Sequence, residues 1–335
     1  MATNSPVTKL NFCNGFCEPL THQRLDPYAE GLCSEDGTLY PYIDVGHKVV
    51  DFIKPVALTD LDHANLQMYN SKNATDIYRN FLTWLFESFD QTENDFRHQL
   101  ISNLGLKQGM KVLVTGCGLG EDISLIMAKI GSQGELHAQD LSKSMVLAAS
   151  NAHRYDNLYF SVSNGNFLPH PARYFDAVFH FGGINLFGDV KKAIAELERV
   201  CKIGGRVVFG DEGIAPHLRG TQYADVAINN IKLWESLPPL HLLPTNAVEI
   251  ELKFILGNCF YLLAFTPSDG FPKMNIDVVH KGVRGGSART RYFGKIEGIR
   301  EQSKVKLVAA AKKRGVSVHD LLEEIIASKL SDQET

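Results

Sequence analysis

Long apolar runs are missing from this sequence. The longest, FILGNCFYLLAF over 254–265, is interrupted by Asn258 and falls far short of the ~20 residues a membrane-crossing helix needs. The first residues lack a basic stretch followed by an apolar one, so no secretory leader is expected and a cytoplasmic protein is. Internal repeats and long low-complexity tracts are missing too. Six cysteines at irregular spacing in 335 residues do not make a disulfide framework. What remains, with 44% hydrophobic and 21% charged residues, is an ordinary globular composition, long enough for one domain with appendages or for two.

Charge is unevenly spread. Eleven Lys and Arg between Lys281 and Arg314 meet only Glu297 and Glu301, a local excess of nine; with a total of −4, the rest carries −13. Three segments are expected: an N-terminal module (1–55), a main domain (56–290) with an insertion over 214–290, and a basic strand–helix–helix tail (291–335). Within 56–105, TDIYRNFLTWLFESF sets Ile77, Phe81, Trp84 or Leu85, and Phe89 on one helical face. From 110 onward, short apolar strands such as MKVLVTG, GELHAQDL and YFDAVFHFGG alternate with helical segments. One of these, SKSMVLAASNAHRY, has Ser142 as N-cap, and another, VKKAIAELERVCKIGG, is expected to end at its glycine pair. That order demands a parallel sheet with right-handed crossovers: an α/β, Rossmann-like doubly wound fold.

In such a fold the turn after the first strand borders the ligand. Here it reads TGCGLGED, with Gly116, Gly118 and Gly120 on alternate positions. Glu121 occupies the slot where a dinucleotide loop places its third glycine. A carboxylate within ~4 Å of a pyrophosphate would cost up to a few kcal/mol at an effective dielectric near 20. The same carboxylate suits S-adenosylmethionine, which carries a sulfonium and an ammonium and no phosphate; alternatively, Glu121 and Asp122 complement the helix dipole. Asp140, twenty residues past Gly120 at the end of the next strand, can accept both ribose hydroxyls or cap the following helix.

The run from about 100 to 213 resembles a class I S-adenosylmethionine-dependent methyltransferase, of the ubiquinone/menaquinone-biosynthesis type. VLVTGCGLG, HAQDLSKSMV, NFLP with YFDAV, and LERVCKIGG carry the resemblance in order. It implies that Gly116, Cys117, Gly118 and Gly120 wrap the methionine and ribose, and that Asp140 binds the ribose with Leu141 beside the adenine. Asn164, Gly165 and Asn166 would complete the adenine site. The family has an acid at the position of Asn164, and an amide oxygen can still accept from an amino group. Cys117 reads as a small packing residue rather than a nucleophile.

Methyl transfer needs a positioned acceptor and, for many acceptors, a base. His180 is the base candidate by location, or else a hydrogen-bonded structural histidine; Asp211 and Glu212 could orient the acceptor or cap the next segment. No (D/N)PPY stands at the end of the fourth strand, and no cysteine stands where a pyrimidine-C5 enzyme needs one. A quinone-, lipid- or natural-product-like acceptor therefore leads. An RNA or DNA methyltransferase, or a cofactor-sensing nucleic-acid-binding protein without catalysis, are the alternatives. Apolar residues of 214–273 (Tyr223, Trp234, Leu237, Leu240, Leu242, Phe254, Phe260, Tyr261, Phe265) could wall an acceptor pocket or form plain core. Lys281, Arg284, Arg289 and Arg291 could clamp an acidic substrate or form a solvated loop.

Cys13, Cys17 and Cys33, followed by YPYIDVG, resemble a zinc-ribbon-like module. Zinc needs four ligands; His22, Asp36 or His47 would have to complete the set, and a metal-free module is the preferred reading. The tail resembles a ribbon–helix–helix unit, expected to serve oligomerisation or packing ahead of DNA binding.

Overall fold

A computed structural model describes residues 15–331, except 45, 47, 48, 55, 72, 284 and 294–298. It divides into two units, Met1–Phe271 and Pro272–Thr335.

The larger unit is built on a sheet whose described strands are β1 (Asp26–Pro27), β2 (Gly31–Cys33), β3 (Leu39–Asp44), β4 (Val49–Asp51), β5 (Lys111–Thr115), β6 (Glu135–Asp140), β7 (Leu158–Val162), β8 (Phe175–Phe181), β9 (Cys201–Glu212), β10 (Ala247–Ile255) and β11 (Phe260–Pro267). Their spatial order is β1-β2-β3-β4-β7-β6-β5-β8-β9-β11-β10. The run β4 to β9 is parallel, while β9, β11 and β10 pair antiparallel, as do β1 to β4. Order reverses between β5 and β8, so a switch point opens at the carboxyl ends of those strands, where open α/β sheets bind ligands.

Before the central strands come α1 (Asp60–Tyr69), α2 (Ala74–Ser88) and α3 (Glu93–Ser102); between them lie α4 (Ile123–Ile130), α5 (Lys143–Ala152) and α6 (Val190–Val200); α7 (Gln222–Asn230) follows β9. Alternation along β5 sends Val112 and Val114 to one face, with Phe96, Leu100, Ile126 and Val146, and Leu113 to the other, with Ile194 and Leu197 of α6. Ser142 caps α5 by accepting from Met145 N–H, and Gly131, at φ 67°, closes α4.

Two local expectations need correction. Ile77 is 62% exposed; the buried stripe of α2 is Ala74, Leu85 and Phe86. Helix α6 stops at Val200, and the KIGG glycines lie inside β9, where pairing slips between Phe175–Cys201 and Ala177–Arg206. Gly205 belongs to that bulge because a Cβ there would stand 2.7 Å from the Asp176 carbonyl oxygen.

The N-terminal strands continue the sheet through β4 and β7. Cys17 N–H donates to the Pro169 carbonyl at 2.9 Å, and burial pushes its thiol up to about 12. Glu18 organises the adjoining turn: its carboxylate accepts from the N–H groups of Leu20 and Thr21 and from Tyr40 Oη. Asp36 accepts from Ser34 Oγ and Thr38 N–H. Among the described residues no three His, Cys, Asp or Glu side chains converge on a metal position. Cys13 and His47 lie outside the described residues.

The smaller unit holds α8 (Ala288–Tyr292), α9 (Glu301–Arg314) and α10 (Val318–Ser331). A strand was expected over 290–296, but Thr290–Tyr292 are helical because Ser287 and Thr290 form a reciprocal capping box. Gly315 ends α9 at φ 68°, and Ser317 Oγ accepts from Asp320 N–H. Arg289 pairs with Asp277, and Arg291 donates to the Gly285 carbonyl, so both arginines are engaged locally; Arg284 lies outside the described residues.

Candidate active site

At the switch point, a cleft of about 780 Å³, open solvent at its mouth included, opens above β5, β6 and β8. Of the residues singled out from the sequence, Gly116, Gly118, Asp140, Leu141, Asn164, Gly165 and His180 line it. Cys117, Gly120, Asn166, Asp211 and Glu212 do not. Cys117 is buried in packing, which pushes its thiol well above the ordinary range. Gly120 turns behind the loop, where a Cβ would meet Ile123 and His153 at 2.8–2.9 Å.

Gly116 and Gly118 adopt φ 61° and 54°, in the left-handed region. The nearest neighbours of a Cβ at Gly118 would be Glu121 Oε2 and Tyr78 Oη, both at 3.7 Å, an ordinary contact distance. Asp140 is fixed by its neighbours: Oδ2 accepts from Gly118 N–H at 3.0 Å and Oδ1 from Ser142 N–H at 2.8 Å. Leu141 N–H also donates toward the carboxylate, which retains acceptor capacity beyond these contacts. Burial raises the Asp140 pKa.

Of the two carboxylates after the loop, Asp122 is committed elsewhere. Arg97 Nη1 lies 3.2 Å from both its oxygens, and Arg97 also pairs with Glu93 at 2.7 Å. Glu121 forms no ion pair with a described residue; burial raises its pKa, against the pull of Arg97.

His180 is 1% exposed. Its Nδ1 lies 2.9 Å from the Thr115 carbonyl oxygen, which can only accept, so Nδ1 carries the proton of the neutral ring. Nε2 then bears a lone pair, and it has no partner among the described residues. Burial lowers the imidazole pKa, opposed by Asp211. Asp211 itself ties down the turn after β8: Oδ1 accepts from Gly183 and Glu212 N–H, and Oδ2 from Asn185 N–H at 2.6 Å. Through Gly183 it fixes part of the cavity wall without lining the cavity itself. Burial beside Asp211 pushes the Glu212 carboxyl well above the ordinary range.

Four cavity residues come from segments that sequence reasoning did not connect to the site: Asp62, Asn65 and Tyr69 of α1 and Tyr78 of α2. Asn65 Nδ2 donates to the Leu186 carbonyl at 2.8 Å, and Asn70 Oδ1 accepts from Ser142 Oγ at 2.7 Å, so α1 is tied to both rims. The Thr59–Asp62 capping box was the visible signal, and it announces only a helix start. None of the apolar residues singled out in 214–273 lines the cleft; Tyr261, Phe260 and Phe265 are sheet core.

Residues 113–209 match the methyltransferase domain family. The fold is the Rossmann-like fold of class I methyltransferases. The chain is 31% identical over 117 residues to the ubiquinone/menaquinone biosynthesis C-methyltransferase of Francisella philomiragia, covering 34% of this chain and 47% of that protein. Against the enzyme of the same name from Edwardsiella ictaluri, identity is 32% over 108 residues, with 31% and 43% covered. The chain thus spans less than half the length of these curated relatives. Among solved structures, Haemonchus contortus phosphoethanolamine N-methyltransferase 2 in complex with S-adenosyl-L-methionine superposes with a TM-score of 0.50 at 13% identity, over 64% of this chain and 61% of that one.

Proposed function

We propose that the protein is an S-adenosylmethionine-dependent methyltransferase whose acceptor is a small apolar molecule of the quinone, lipid or natural-product kind. The observation that carries the cofactor reading is electrostatic. Two carboxylates stand at the glycine loop, Asp140 in the cleft wall and Glu121 behind Gly118, and neither has a cationic side chain within ion-pair distance among the described residues. That surplus fits a ligand that brings its own positive charge and opposes a pyrophosphate. The left-handed glycines leave the backbone bare for close approach, and the residues present therefore fit the group.

When bound, S-adenosylmethionine supplies a methyl group activated by its sulfonium. The chain's own residues do the rest. Asp140 accepts from the ribose hydroxyls through its remaining lone pairs. Tyr69, Phe181, Leu186 and Phe187 exclude water from the cleft. His180 Nε2 takes the proton that the acceptor releases, with Thr115 holding the ring in the required tautomer. No Lys or Arg lines the cleft among the described residues, which favours an uncharged acceptor. The names of the curated relatives agree with an acceptor of the quinone class.

The test is turnover. S-adenosylhomocysteine should form when the protein meets S-adenosylmethionine with quinol or phenolic acceptors. Turnover with RNA or DNA alone would replace the small-molecule reading.

A further inference from the structure

Asp62 lies in the first turn of α1, is 3% exposed, and lines the cleft. Its Oδ2 takes every hydrogen bond the side chain receives from described groups: Thr59 N–H at 2.9 Å, Thr59 Oγ1 at 2.9 Å and Asn164 Nδ2 at 3.2 Å. Oδ1 receives none. Asn164 is oriented by the same contact, since its Nδ2 faces Asp62 and its Oδ1 accepts from Asn166 N–H at 2.9 Å. The same cavity is lined by Leu141, Met145 and Phe187. Phe187 is close to Gly165, where a Cβ would stand 2.3 Å from Phe187 Cε2.

A cavity lined in part by apolar side chains, with one carboxylate oxygen that receives no hydrogen bond from described groups, suits a flat aromatic base with an N–H donor on its edge. We propose that Asp62 is the residue that reads the exocyclic amino group of the cofactor's adenine, with Asn164 as its positioning partner. The proposal rests on the cofactor reading above. It also explains the amide at 164. A carboxylate there would face Asp62 Oδ2 at hydrogen-bond distance, and two like charges so close would drive one pKa sharply up. The negative charge at this end of the cleft is supplied by α1, 102 residues away in sequence.

The experiment is titration calorimetry on the full chain with S-adenosylhomocysteine and with its analogue carrying hydrogen in place of the adenine amino group. The natural chain should prefer the amino form by about tenfold or more, the usual discrimination when a buried acceptor is left unpaired. Asp62→Asn should lose most of that preference. Asn164→Asp alone should bind weakly, and the exchange D62N/N164D should recover both affinity and preference to within about threefold. The discriminating readout is the lost preference in Asp62→Asn: a purely helix-capping Asp62 would change the affinity for both ligands alike and leave their ratio unmoved. Three outcomes overturn the assignment while leaving the cofactor reading intact: equal binding of both ligands by the natural chain, an unchanged preference in Asp62→Asn, or an exchange variant no better than Asp62→Asn. Failure of the natural chain to bind either ligand defeats the cofactor reading itself.

Discussion

Three buried histidines leave a ring nitrogen without a partner among the described residues, and their surroundings could hardly differ more. His137 and His170 meet edge to face, 5.0 Å apart, beneath the N-terminal segment. His137 Nε2 lies 2.8 Å from Glu135, and His170 Nδ1 lies 2.6 Å from the Gly15 carbonyl oxygen. Phe16, Tyr174 and Phe175 pack around them, and Gly15 sits so close that a Cβ would touch the His137 ring at 2.4 Å. His180 is as deeply buried, yet it borders the cleft. An orphaned nitrogen packed among rings costs stability and accomplishes nothing chemically. His180 differs in that its ring contributes to the cleft wall.

The sharpest way to break this comparison is to remove each histidine in turn. His180→Gln should lower kcat by about 10²- to 10⁴-fold, the usual range for a lost general base, with S-adenosylmethionine affinity little changed. His170→Phe should leave kcat within about twofold. Comparable losses at the two sites, measured by S-adenosylhomocysteine release, would erase the distinction.

The packed pair should appear instead in the pH dependence of stability. Burial holds both imidazoles below their ordinary 6.5, His170 well below it. The unfolded chain therefore takes up protons first as pH falls. Stability is complete above about pH 6.5 and declines below it, by up to about 1.4 kcal/mol per pH unit for each histidine until its folded pKa is reached. Glu135, held down to about 2, acts in a separate window, from 4.5 to about 2. Urea denaturation at pH 7.5 and 5.5 should show the loss, and His170→Phe should reduce it. An equal loss in that variant would place the sensitivity elsewhere.

A smaller effect sharpens the catalytic side. Because burial also lowers the His180 pKa, the acid limb of kcat/KM should fall below pH 6.5. A limb above that value would mean that Asp211 outweighs burial. Smaller still is the proton count on binding. A cation beside Asp140 and Glu121, whose pKa values burial has raised, should release protons. Binding heats measured across the acidic range in buffers of different ionisation enthalpy should reveal that release, and uptake would contradict the charge argument.

Much of the fold was legible in the sequence because it is local. The glycine loop, the strand–helix alternation, the Ser142 cap and Asp140 all depend on neighbours within a few residues. The features that escaped are set by contacts between distant segments. Asp122 reads as a partner for the cofactor's charge until Arg97, from α3, takes both its oxygens. Asp211 resembles an acceptor-orienting acid until the 183–185 turn claims it. Asp62, Asn65 and Tyr69 reach the cleft only because α1 folds back across it, and no periodicity announces that return. The expected tail strand failed for a local reason, the Ser287–Thr290 box.

The central claim is that this cleft holds S-adenosylmethionine with its ribose on Asp140. Titration calorimetry of the full chain tests it most directly. The natural sequence should bind one equivalent, and Asp140→Ala should weaken binding by about 100-fold, as expected for losing two hydrogen bonds to a charged group. Unchanged affinity in Asp140→Ala would contradict the account.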